Sequence, residues 1–309
     1  MPFPLTKTEE DFERLDELIE DSKQEPGHQG GRNMFAAWCD ANYESAETGG
    51  KVILYNEEMS ADHATILANA CKSEDIPTLK KVLGITRLGP KPKSVEVDLG
   101  FKSLTPKAVE VLMKELPANL ENFSVNLKGN QLMMTGVKAV AAGLPKKLRI
   151  LRVDLGQNKL GAAGVEVFMK AVPDTVQELT LGVSNMRMGL PGVKAIADNL
   201  PPGLEELYLD ICDGLLGDDG CIYLSRRLPK TLKKLNIWMR GDQGFITNRG
   251  HWIFDRLIND PLNPYNLPEL TVRNYKNVRN SERDCVQQYE MTKNTWELQQ
   301  RWLPNENVC

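Results

Sequence analysis

The chain has no C-x-x-C pair, few aromatics (6%) and no run approaching the roughly 18 consecutive apolar residues of a membrane helix. Its six cysteines, Cys39, Cys71, Cys212, Cys221, Cys285 and Cys309, are scattered. That pattern favours reduced thiols in an intracellular protein over a disulfide framework. His28, His63 and His251 lie far apart in sequence, which argues against a zinc cluster. Charge of one sign is lacking too: 38 basic against 42 acidic residues leave a net of −4, so no basic field argues for nucleic acid. The opening residues are acidic and without an apolar segment, reading as neither secretory signal nor transit peptide. No G-x-x-x-x-G-K-S/T loop and no G-x-S-x-G elbow occurs. The acidic turn DICDGLLGDDG lacks the alternating ligands and terminal Glu of a calcium loop, leaving Asp213, Asp218 and Asp219 as turn and helix-start residues. Cys212 has no nearby His to activate it. No catalytic residue, cofactor or metal is expected.

What is present is a repeat. Val95, Phe123, Leu151, Leu179, Leu207 and Leu235 recur every 28 residues. Leu104, Leu132, Leu160, Met188 and Leu216 form a second column, and Val109, Val137, Val165, Val193 and Cys221 a third. Pro117, Pro145, Pro173, Pro201 and Pro229 form a fourth. Each unit opens with apolar–polar alternation, as in Leu151, Val153 and Leu155 around Arg152 and Asp154, which is the period of a half-buried strand. It then switches to helical spacing at Val165, Phe168 and Val172. The proline ends the helix and turns the chain toward the next strand. Asn130 and Asn158 precede Leu132 and Leu160, and an amide there can donate to and accept from loop backbone. Gly136, Gly164, Gly192 and Gly220 are expected where neighbouring units approach closely.

Through Ile150, Val153, Leu155, Asn158 and Leu160, which fit L-x-x-L-x-L-x-x-N-x-L, the chain resembles the ribonuclease-inhibitor type of leucine-rich repeat over about residues 92–240. The resemblance implies an α/β fold: a right-handed leucine-rich-repeat solenoid, a horseshoe arc of 28-residue strand–helix units with parallel strands on the concave face. The family is mainly a binding scaffold, so the motif specifies fold more than function. One unit cannot bury its own apolar face; stacking and two end caps are required.

Four segments follow. Residues 1–50 form an acidic arm with short helices, four basic against twelve acidic residues giving 4 − 12 = −8. Leu15, Leu18 and Ile19 stripe one helix, and Phe35, Ala36, Trp38 and Cys39 suggest another. A solvated helix and a docking arm are both open readings there. Residues 51–91 read as a degenerate capping repeat, with Val52 and Leu54 in a strand, Ile66, Leu67 and Ala70 on a helix, and an extra segment from Ile76 to Leu83. His63 has a surface or capping place in that helix. Residues 92–240 are the repeats. Residues 241–309 form a C-terminal cap: a helix at Ile253, Phe254, Leu257 and Ile258, a strand at 267–272, and a terminal helix from Ser281. Val286, Tyr289, Trp296 and Trp302 face that last helix apolar, and Tyr289, Trp296 and Trp302 are its candidate anchors.

On the strands, alternate side chains point away from the core. They give one column of Glu96, Ser124, Arg152, Thr180, Tyr208 and Asn236, and a second of Asp98, Asn126, Asp154, Gly182, Asp210 and Trp238. Glu96, Asp98, Arg152, Asp154, Tyr208, Asp210, Trp238 and Arg240 are the candidate partner-binding set, because Tyr, Trp and Arg concentrate at interface hot spots. A merely solvated sheet, with acids spaced to limit repulsion, is the other reading. Lys146, Lys147, Lys230, Lys233 and Lys234 mark a basic rim or a solvated edge.

The expected function is a non-catalytic protein-interaction scaffold within a hetero-oligomeric intracellular assembly, cytoplasmic by default. Nucleic acid, metal and a membrane span are not expected. Two alternatives remain. One is a GTPase-activating protein like the Ran regulators, using loop residues such as Asn130, Asn158, Asn185 and Arg187. The other is an inhibitor that covers an enzyme with the concave face, although such inhibitors are longer and cysteine-rich.

Overall fold

The computed structural model describes residues 51–53, 61–83, 85, 92–212, 214, 216–240, 253, 269–280, 283–292 and 295–302, with backbone alone at 51–53, 61–65, 240 and from 269 onward. Two compact units divide the chain, residues 1–47 with 303–309 and residues 48–302, and the described residues belong to the second. The expected arm helices, Leu54, Phe254, Leu257, Ile258 and Asp213 lie outside the described residues, as does the side chain of His63.

Strands β1 (Lys51–Ile53), β2 (Ser94–Asp98), β3 (Asn122–Asn126), β4 (Ile150–Asp154), β5 (Glu178–Gly182), β6 (Glu206–Asp210), β7 (Lys234–Arg240), β8 (Glu269–Asn280), β9 (Arg283–Thr292) and β10 (Thr295–Trp302) form one sheet in chain order. Helices α1 (Ala61–Ser73) and α2 (Ile76–Val82) join β1 to β2. Helices α3 (Pro106–Lys114), α4 (Met133–Gly143), α5 (Gly161–Met169), α6 (Gly189–Asp198) and α7 (Gly217–Ser225) each follow one of β2 to β6. Pairing is parallel from β1 to β8. Parallel strands joined by helical crossovers in chain order are the architecture of a leucine-rich-repeat type of solenoid.

The register explains why the columns are apolar. Val95 pairs with Phe123, Phe123 with Leu151, Leu151 with Leu179, Leu179 with Leu207, and Leu207 with Leu235. All six are at most 1% exposed. They pack with Val109, Val137, Val165, Val193 and Cys221 from the helices in one continuous core. Within it, burial pushes the Cys221 thiol up, as it does that of Cys71. A further buried column, Leu120, Leu148, Val176, Leu204 and Leu232, lies three residues past each proline. The carbonyls of Pro117, Pro173, Pro201 and Pro229 accept from the N–H three residues on, so the proline builds a tight turn that returns the chain to the core.

The glycine column has another cause than the one expected. A Cβ on Gly164 would stand 2.4 Å from the Cβ of Leu160, and one on Gly192 the same distance from that of Met188. The close approach is to the residue four positions earlier in the same unit, not to a neighbouring unit. Ile66 also departs from expectation, being 44% exposed while Leu67 and Ala70 are buried.

Met133 occupies left-handed backbone at φ 54°, where the same position of later units holds Gly161, Gly189 and Gly217 at φ 56–60°. That conformation costs a non-glycine residue about 1 kcal/mol or more. Met133 is 66% exposed and returns little by packing. Met133→Gly is therefore expected to stabilise the protein by about 1 kcal/mol in thermal or urea unfolding; a destabilisation would contradict this account.

The C-terminal segment corrects the expected capping helix. The strand foreseen at 267–272 is present as β8, but β9 and β10 continue antiparallel instead of forming a helix from Ser281. Tyr289 is on β9, and Trp296 and Trp302 are on β10. The physical reason is period two: Trp296, Leu298 and Trp302 fall on even positions, with Glu297, Gln299 and Arg301 between them. The register sets Trp296 opposite Met291, Leu298 opposite Tyr289 and Trp302 opposite Cys285.

Candidate protein-binding face

The polar columns are fixed by strand geometry and by backbone needs at each strand's end. Asp98, Asn126, Asp154 and Asp210 each accept with Oδ1 from the N–H two residues on, at Gly100, Lys128, Gly156 and Cys212, over 2.7–3.1 Å. Asp and Asn recur in this column because they close a turn where the ladder stops.

Asp154 is the extreme case, at 0% exposed. Burial drives its pKa up to about 6; Lys128 opposes this, and Asp210 and Asp98 add to it. Its Oδ2 has no hydrogen-bond partner among the described residues, nor has the hydroxyl of Thr180 or of Ser184. Gly182 follows from it, since a Cβ there would lie 2.6 Å from Asp154 Oδ1.

The other column pairs laterally as Glu96, Ser124, Arg152, Thr180, Tyr208 and Asn236. Arg152 forms an ion pair with Glu178. Burial holds the Glu178 carboxyl above its usual range, Arg152 pulls it down, and Glu206 pushes it up again. Tyr208 donates its hydroxyl to Glu206 Oε2 at 2.8 Å, and Lys234 Nζ sits 5.2 Å from its ring centre.

The predicted residues therefore divide. Glu96, Asp98, Arg152, Asp210 and Trp238 are partly exposed on the face away from the helices. Asp154 and Tyr208 share that face but are withdrawn from solvent, Tyr208 being 5% exposed, and so present little surface for contact. Arg240 ends β7, with its side chain outside the described residues. Tyr289, Trp296 and Trp302 stand on strands, two or three pairings beyond β7.

The loop asparagines are used internally. Asn158 Oδ1 accepts from Asn130 N and Leu132 N at 3.0 and 3.1 Å, and its amide donates to the carbonyls of Leu127, Leu155 and Gly156. Asn130 repeats the pattern one unit earlier, accepting from Lys102 N and Leu104 N. Asn185 is off this register by one and exposed, as is Arg187. Cys212 is buried, at 5% exposed. Asp218 and Asp219 occupy the first turn of α7.

One set of residues escaped the sequence reading: the row just before each strand. Lys93 pairs with Glu121 at 2.8 Å, Arg149 donates to Gln177 at 2.8 and 3.0 Å, and Lys233 pairs with Glu205 at 2.7 Å. The 28-residue column Lys93, Glu121, Arg149, Gln177, Glu205, Lys233 was its signal. Part of the supposed basic rim is thus neutralised within the protein, while Lys146, Lys147 and Lys230 remain exposed. Among the described residues no helix is long and apolar enough to cross a membrane, and no group of three His, Cys, Asp or Glu side chains could hold a metal ion.

No family model matches the chain. No curated protein matches it either. Among 44 matching chains of solved structures is one from the crystal structure of the Rad7 and Elc1 complex in yeast, at 17% identity and TM-score 0.38. The match covers 69% of this chain and spans 56% of that one.

Proposed function

We propose that this protein is a non-catalytic protein-interaction scaffold, a right-handed solenoid of the ribonuclease-inhibitor repeat type that serves as an accessory subunit of a larger intracellular hetero-oligomeric assembly. The observation that carries this reading is the face of the sheet away from the helices. There Glu96, Asp98, Arg152, Asp210 and Trp238 stay partly exposed on strands held in constant register. Six strands at about 4.8 Å spacing extend that frame over roughly 24 Å, enough for a partner's anchor residues. The engagement of Asn130 and Asn158 in backbone contacts supports a structural over a catalytic role for them.

The test is native purification followed by crosslinking mass spectrometry. Partner proteins are expected to co-elute and to crosslink to lysines at the margins of β2 to β7. Trp238→Ala, with folding checked by circular dichroism, is expected to weaken partner retention about tenfold or more. Recovery solely as a monomer, or retention unchanged by Trp238→Ala, would count against this face.

A further inference from the structure

The two edges of the repeat sheet are electrostatically unlike. On the edge before the strands, cations alternate with acceptors and neutralise one another. On the edge after them, the loops at 99–105, 127–133, 155–161 and 183–189 contain no Asp or Glu; Lys102 and Lys128 are engaged within the protein, Lys128 being buried beside Asp154, whereas Lys159 and Arg187 stand exposed.

These loops stack in register. Gln157 N donates to Ser184 O at 2.9 Å, and Asn130 N to Asn158 Oδ1 at 3.0 Å, 28 residues on. Lys159 and Arg187 occupy the same position of successive loops, so their backbones are about one strand spacing, 5 Å, apart. Both are exposed, and neither has an ion-pair partner among the described residues. Like charges held side by side oppose folding. Both also stand on left-handed backbone, at φ 54° and 48°, where glycine would cost least. The row continues through Gln131 to Met133, the most exposed large apolar side chain described.

We propose that this loop edge is a docking surface for an acidic protein segment whose carboxylates recur at 5–6 Å, as on one face of a helix, with an apolar residue beside them. Carboxylates at i and i+4 of a helix match the spacing of Lys159 and Arg187. Met133, two positions past Gln131 in the row's earlier loop, supplies apolar contact. A nucleic-acid backbone fits less well, because it offers no aliphatic side chain to meet the exposed Met133. This inference rests on the reading of the protein as an interaction scaffold but uses a different surface.

The test is fluorescence anisotropy of the full chain with a labelled helical peptide of about four turns, carrying Glu at i and i+4 and one Leu. Lys159→Glu combined with Arg187→Glu is expected to weaken binding by about tenfold or more, whereas Lys146→Glu combined with Lys147→Glu on the opposite edge changes it less than about twofold. The alanine pair Lys159→Ala and Arg187→Ala, with an unchanged circular dichroism spectrum, should give an intermediate loss. Equal losses from both edges, no peptide binding, or tighter binding of a single-stranded oligonucleotide overturns the proposal. Partner retention that depends on Trp238 would survive any of those results, so the two readings fail separately.

Discussion

Asn158→Ala should destabilise the protein by about 4 kcal/mol or more, among the largest losses available from one polar side chain. The amide makes five hydrogen bonds at 2.9–3.1 Å and is 0% exposed. Truncation strands two buried donors and the Leu155 carbonyl, each costing roughly 1–3 kcal/mol, while the Leu127 and Gly156 carbonyls keep Asn130 Nδ2 and Gly129 N. A solenoid has no distant contacts with which to share that deficit, so it falls on the interface between two neighbouring units. Urea unfolding followed by circular dichroism should therefore show a lower midpoint and a broader transition. Asn185→Ala is the control: one position off the ladder and exposed, it loses only asparagine's tolerance of left-handed backbone at φ 56° and should cost no more than about 1 kcal/mol. Equal effects of the two substitutions would refute the ladder.

Asp154→Asn is expected to act in the opposite direction. The folded state raises this carboxyl from 3.8 to about 6, so between those values the native protein binds more protons than the unfolded chain. Stability contributed through this group consequently falls as pH rises from about 4 to about 6, and the full penalty is present at neutral pH. A shift of about two pH units corresponds to about 3 kcal/mol, an upper limit because the interior can relax. Asparagine retains the oxygen that accepts from Gly156 N, as Asn126 does for Lys128 N one unit earlier. We expect a gain of about 1–3 kcal/mol at pH 8 that shrinks toward zero near pH 4, measured by chemical unfolding across that range. A gain independent of pH would mean that burial of charge is not the cause.

These two residues stand on opposite sides of what the sequence could disclose. Asn158 was legible, because it precedes Leu160 in a recurring step and the loop backbone around it needs partners. Asp154 was legible only as a position on the outward side of a strand. Its surroundings come from other units, Gly182 approaching it closely and Lys128 acting on its charge, and no local pattern carries that information. Tyr208 is similar: alternation places it on the polar side, yet it is enclosed, with Glu206 on its hydroxyl and Lys234 over its ring. The row from Lys93 to Lys233 was readable in the same columns as the leucines, but lateral ion pairing becomes evident only when strands are set side by side. At the C-terminal end, apolar residues in β9 fit both a helical and an alternating period; pairing with β8 and β10 selected the strand.

The sequence by itself determined which residues enter the core, because parallel strands in constant register place each column of the repeat at one depth. The tertiary structure alone decided the state of the polar face and the ending of the sheet. Burial of a charge and choice between helix and strand both depend on neighbours remote in the chain, and hydrophobic periodicity does not encode them.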